Sequence, residues 1–207
     1  CEAMLYIAGA SDRLGRVADG NTVLDFDSEE KRRKSSVSSA MAALEWDNTK
    51  LNIIDAPGLF DFEGGAAEAV RAAEAVLIVT SAGSGVDVGT EKAFRAADKK
   101  GAAKFFAITK TDSDHRSFYK TFDALKEVYG NKLCPTIIPY MEGNITKCYV
   151  NLMTGMAFSY DENGKATKVP VPEDSVIEEM TSAFMEAVAT TDDALMEKFF
   201  EGEKFTK

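Results

Sequence analysis

Short apolar runs alternate with turn-rich and charged stretches along this chain, and their lengths separate strands from helices. Residues 37–46 and 50–55 read as two strands joined at Asp47-Asn48-Thr49, an antiparallel hairpin. From Leu51 to Ile108 the order is βαβαβ: strand-like runs at 51–54, 76–80 and 105–108 alternate with helix-like stretches. The first stretch, 62–75, places Gly64-Gly65 ahead of an alanine-rich helix, and the glycines give that loop freedom to reorder. The second, 90–100, has Gly101 as a left-handed terminator. Residues 118–129 form a further helix closed by Gly130, residues 1–8 are helical in pattern with no capping residue, and 13–26 are loop-like.

After Cys134-Pro135 the texture changes. Short strand candidates at 136–139, 148–152 and 156–160 precede a turn at 161–165. Pro172-Glu173-Asp174-Ser175 then opens an amphipathic helix through Ala189, and Thr191 is placed to cap a second helix with Asp192 and Asp193 in its first turn. The chain thus divides into an α/β portion, 1–133, and a small α+β portion, 134–207, with no internal repeat or low-complexity tract.

Two tetrads fall at the carboxyl ends of strands, where open parallel sheets bind ligands. Asp55-Ala56-Pro57-Gly58 ends one apolar run, and Thr109-Lys110-Thr111-Asp112 ends another. An aspartate there can hold Mg²⁺ through water, and a following glycine lets a backbone N–H approach a γ-phosphate. A Lys-x-Asp can lay an aliphatic stem under a purine and offer a carboxylate to its ring N–H and amino group. The charged stretch from Ser28 to Ser36 has two readings. It is either a solvated linker, or a switch segment whose hydroxyl joins Mg²⁺ when a γ-phosphate is present.

Composition narrows the picture. The 207 residues, 45% hydrophobic and 28% charged, suit a globular protein with a real core. No apolar run approaches membrane-spanning length. A net charge of −10 argues against broad electrostatic binding to nucleic acid, so any RNA contact is local. Cys1, Cys134 and Cys148 lack metal-ligand spacing and read as reduced, intracellular thiols.

On these motifs the chain resembles elongation factor G and its translational GTPase relatives. The carriers are Asp25-Phe26-Asp27, the run from Leu51 to Gly58 with Asp61-Phe62, and the run from Ala75 to Val79 with Gly85-Val86. Thr90-Glu91, the Thr109 tetrad and the tail from Asp193 to Phe199 complete them. The resemblance implies a P-loop NTPase-type, mostly parallel sheet with helices on both faces, and an insert subdomain at 134–207. It also implies GTP/GDP and Mg²⁺ as ligands, Asp55, Gly58, Thr109, Lys110 and Asp112 as nucleotide-binding residues, and Ser36 and Asp55 as metal ligands. By the same resemblance the protein is cytoplasmic, and its partner is the ribosome, through large-subunit RNA and the stalk protein that the insert touches.

The departures matter equally. The family histidine that orients the attacking water is Leu59 here, which can neither donate nor accept. The single histidine, His115, follows the Thr109 tetrad and reads as surface. Thr109 stands where the family has asparagine and keeps a hydroxyl, and Lys34 replaces a family glycine. No G-x-x-x-x-G-K-[ST] loop occurs in the 207 residues, so the chain reads as a fragment that by itself binds GTP poorly and is inactive. In G domains the strand entering that loop lies between those ending at Asp55 and near Thr80. Its absence predicts a slipped pairing, a borrowed strand, or self-association through exposed sheet edges, with residues 1–26 displaced. Three functions stay open for the parent: a ribosome-stimulated translocation GTPase, a poorly hydrolysing GTP-binding ribosome factor, and a ribosomal protection protein.

Overall fold

A computed structural model describes residues 1–111, 117–130, 133–143, 145–161, 164–202 and 205. The chain is α/β, and it packs as two compact units: residues 1–80 with 87–107, and residues 81–86 with 108–207. Among the described residues no helix is long and apolar enough to cross a membrane.

The first unit begins with α1 (Glu2–Ile7) and α2 (Ser28–Arg33), then the hairpin β1 (Ala40–Trp46) and β2 (Thr49–Asp55). Asp47 and Asn48 both hold positive φ, 48° and 58°, the geometry of a two-residue turn whose twist suits antiparallel strands. That turn sets the register from Trp46↔Thr49 to Ala40↔Asp55. In this register Leu44 meets Leu5 and Leu24 in a small core, with Ala40, Ala42 and Ile53 against it. A slip of one residue would turn Leu44 out to solvent.

Next come α3 (Glu63–Ala72), β3 (Ala75–Ser81), α4 (Val88–Lys100) and β4 (Ala103–Thr109). Asp87 caps α4 by accepting from the Thr90 N–H at 2.7 Å, and Gly101 ends it in the left-handed region at φ 72°. Lys100 at that end donates to the Arg71 and Ala73 carbonyls where α3 stops. Gly64 and Gly65 lie in the first turn of α3, not in the freely reordering loop that the sequence suggests. A short 3₁₀ turn, Phe60–Phe62, feeds the helix directly. Ser39 donates to the Gly65 carbonyl, and a Cβ on Gly65 would meet the same hydroxyl at 3.0 Å, so close approach explains that glycine.

β2 pairs with β1, and β3 with β4, as separate two-stranded sheets. Among the described residues β2 has only β1 as a neighbour and β3 only β4, so the slipped or borrowed pairing expected at their other edges is not seen there. Leu77, Val79 and Phe105 on the second sheet are exposed.

The second unit contains α5 (Phe118–Tyr129) and an antiparallel sheet in the order of β5 (Ile137–Glu142), β6 (Ile145–Asn151), β7 (Met156–Tyr160) and β8 (Ala166–Val169). Helices α6 (Ser175–Ala189) and α7 (Asp193–Phe200) follow. Ile138, Val150 and Ala157 point to one face and form a core with Cys148, Leu152 and Ile177. Strand β8 is not legible in the pattern, because Ala166-Thr167-Lys168-Val169 carries one apolar β-former. The cap of α7 is Asp192, not Thr191. The Asp192 carboxylate accepts from the Ala194 and Leu195 N–H groups, while the Thr191 hydroxyl turns back to the Val188 carbonyl.

Ile138 is fully buried at the centre of this core. Ile138→Ala should cost about 2–5 kcal/mol, read as a fall in the urea unfolding midpoint.

Candidate nucleotide site

Asp55 closes β2 and faces a cavity of about 660 Å³. Asp25, Ser36, Gly58 and Leu59 share that cavity, together with Cys1, Glu2 and Lys34. The sequence-predicted Ser36, Asp55, Gly58 and Leu59 are therefore brought together. Leu59 is about half exposed and supplies no polar atom.

Three carboxylates, Glu2, Asp25 and Asp55, line this space, Glu30 acts on Asp55 from behind them, and the compensation of the four is uneven. Glu30 is 2% exposed, yet its oxygens accept from the backbone N–H groups of Asp27, Val37 and Ser38 at 3.0–3.1 Å. Burial alone would push its carboxyl up, but those three donors hold it below the ordinary value. Glu2 Oε1 accepts from the Val23 and Leu24 N–H groups at 2.9 and 3.2 Å, while Glu2 Oε2 is buried with no hydrogen-bond partner among the described residues. Gly15 must be glycine here, since its Cβ would fall 2.2 Å from that oxygen and 2.8 Å from the Thr22 Cα. Asp25 accepts from the Ser36 hydroxyl at 2.7 Å. Among the described residues the Asp55 carboxylate accepts only a thiol bond, from Cys1 Sγ at 3.2 Å. Burial pushes the Asp55 carboxyl up, with Asp25, Glu2 and Glu30 adding to the rise and the Cys1 amino group opposing it.

Local structure explains how Ser36 arrives there. Asp27 and Glu30 form a reciprocal capping box on α2, the D-x-x-E spacing that marks a helix start. Lys34 ends the helix at φ 56° and ψ 38°, in the left-handed region where a side chain costs about 1–2 kcal/mol. The turn that a glycine would make freely is therefore kept. Glu2, Asp25 and Glu30 were hidden in the sequence as candidate site residues. The Asp25-Phe26-Asp27 motif and the Asp27–Glu30 spacing carried the readable signals.

In the second unit, Thr109 closes β4 and accepts from the Ala82 N–H at 2.8 Å. The Ala82 carbonyl in turn accepts from the Thr121 hydroxyl of α5 at 3.1 Å, and Thr121 is 3% exposed. Lys110 holds φ 57°, an uncommon conformation for lysine that recurs at functional turns. Asp112 and His115 lie outside the described residues.

The cavity lies beyond the carboxyl end of β2 and the strained Lys110 turn beyond that of β4, the strand ends at which α/β sheets bind ligands. Residues 1–202 match the family of the elongation factor Tu GTP binding domain. An elongation factor G-like protein of Mycobacterium tuberculosis, found in two strains, is 32% identical over 205 residues, covering 98% of this chain and 28% of the relative. A crystal structure of a Thermus thermophilus protein superposes at a TM-score of 0.90 with 33% identity, over 99% of this chain and 31% of that one. A bacterial selenocysteine-specific elongation factor shares the fold at a TM-score of 0.50 and 23% identity, over 62% of this chain and 22% of that one. The chain belongs to the translational GTPase family and is its GTP-binding domain. It spans 28% of the length of the curated relatives it matches.

Because the Asp55 carboxyl is raised from its ordinary 3.8, its contribution to stability is full below that value and lost as pH rises through the folded value. Ionised Asp55 is thus a cost in the metal-free protein at neutral pH. Asp55→Asn should raise the unfolding midpoint at pH 7 without divalent metal, and the gain should shrink toward pH 4, read by urea denaturation. Thr121→Val keeps the shape but removes a buried donor, and should cost about 1–3 kcal/mol in the same assay.

Proposed function

We propose that this chain is the switch-bearing part of an elongation factor G-like GTPase, which binds GTP or GDP with Mg²⁺ and acts on the ribosome in the translocation step. The observation that carries the reading is the cavity gathering Asp55, Ser36 and Gly58. Mg²⁺ fits the residues present. The donors are hard oxygens, the Glu2 Oε2 atom is buried without a partner, and ionised Asp55 is poorly compensated. No group of three or more metal-binding side chains occurs among the described residues. Mg²⁺ takes one or two protein ligands and completes its shell with water and phosphate oxygens.

In this reading Asp55 holds the ion's water shell and Ser36 gives its hydroxyl. The ion, when bound, neutralises charge that builds on the phosphates. Gly58 presents its backbone N–H to the γ-phosphate. The fold leaves open space where a Cβ would sit, so the ligand and not the packing asks for glycine. Thr109, Lys110 and Asp112 take the guanine. Residues 134–207 form the insert that meets the stalk protein, and the protein works in the cytoplasm.

Leu59 favours a second reading, a GTP-binding ribosome factor that hydrolyses slowly and acts by occupancy. It lines the cavity without a group to orient water. Single-turnover GTP hydrolysis by the full-length protein, with and without ribosomes, separates the two. Slow ribosome-stimulated turnover that Leu59→His raises by about 10²–10⁴ supports occupancy as the native mode. Unchanged turnover in that variant removes Leu59 as the limiting feature.

A further inference from the structure

We infer that Glu30 is the positioning residue of the Ser36 segment, its buried carboxylate holding residues 34–38 so that the Ser36 hydroxyl stands at the cavity. The inference rests on the nucleotide reading above for what the hydroxyl is used for, but the pin itself is a matter of geometry.

Segment 34–38 runs between the end of α2 and the start of β1, so no strand ladder fixes it. Its backbone donors go elsewhere. Val37 and Ser38 both donate to Glu30 Oε1, at 3.0 and 3.1 Å, and Ser35 donates to the Glu30 carbonyl at 3.3 Å. Glu30 Oε2 takes the Asp27 N–H, while the Asp27 side chain caps the same helix. One carboxylate therefore ties both ends of a loop that brackets Ser36. Within that bracket the Ser36 hydroxyl donates to Asp25, which also lines the cavity. A glutamate at 2% exposure without a cationic partner is a costly choice for a merely structural turn, since buried carboxylates need several donors to stay ionised. The strength of charge-assisted bonds makes the pin stiff enough to hold a ligand within the tolerance that metal chemistry needs.

Glu30→Gln keeps the shape and turns one oxygen into an NH₂ group, so at least one of the three backbone donors loses its acceptor. Hydrogen exchange on the full-length protein without nucleotide should show at least one of the Asp27, Val37 and Ser38 amides at least about tenfold faster in this variant than in the wild type. Equal rates would overturn the pin. If the variant does not fold, the wild type decides: Val37 and Ser38, though outside the strands, should exchange at least about tenfold slower than unprotected loop amides, and unprotected rates would overturn it.

The second arm titrates Mg²⁺ against binding of a fluorescent GTP analogue. Glu30→Gln should raise the half-saturating Mg²⁺ by about 10–100-fold, the usual effect of losing a group that orients a metal ligand. In a Ser36→Ala background the same change should have little further effect, because Glu30 acts through Ser36. Additive effects, or a fall in thermal midpoint with unchanged Mg²⁺ dependence, would reduce Glu30 to a structural residue. Wild-type protein that binds the analogue without regard to Mg²⁺ would overturn the nucleotide reading, and the exchange result would still decide the pin.

Discussion

Negative charge brought together without ion-pair partners among the described residues is the constraint around which the first unit is organised. Glu2, Asp25, Glu30 and Asp55 lie close enough for the other three to push the Asp55 carboxyl upward, and none of them has an ion-pair partner recorded among the described residues. Ionised groups in partly dry surroundings must find donors or shift toward neutrality. Glu30 is served by three backbone N–H groups, Glu2 by two, and Asp25 by a serine hydroxyl. Asp55 is left with a thiol. The backbone course of residues 22–38 follows from this arrangement: loops that carry no ladder are shaped by the carboxylates that accept their amides.

The same constraint connects fold to chemistry. In the proposed reading, a site that has satisfied most of its carboxylates from within and left one strand-end aspartate short is preorganised for a hard cation. Lys34 in a left-handed turn and Lys110 in another show backbone strain at two turns, one at the cavity and one beyond β4. Such strain persists only where surrounding bonds over-determine it. For Lys34 those bonds come from the capping box and the Glu30 contacts.

Much of the architecture was legible in the sequence for local reasons. The turn Asp47-Asn48, the terminator Gly101 and the helix 118–129 each announce themselves through backbone chemistry within a few residues. The tetrads at Asp55 and Thr109 fell at strand ends as their apolar runs implied. What stayed hidden depends on distant partners. Glu30 sits among charges and looks solvated until Val37 and Ser38 fold onto it. Thr121 looks like an ordinary helix threonine until Ala82 meets it. Strand β8 has too little apolar character to read before β7 offers it a ladder. Gly64-Gly65 suggested a free loop because composition cannot reveal that a 3₁₀ turn delivers them into a helix.

The central claim is that the charge deficit at Asp55 is answered by a Mg²⁺-bound guanine nucleotide. Calorimetric titration of the full-length protein with a non-hydrolysable GTP analogue, in Mg²⁺ and then in EDTA, tests it most directly. The account predicts saturable binding that is at least about tenfold weaker without Mg²⁺ and is not reproduced by the ATP analogue. Equal affinity for both nucleotides, or affinity indifferent to Mg²⁺, would contradict it.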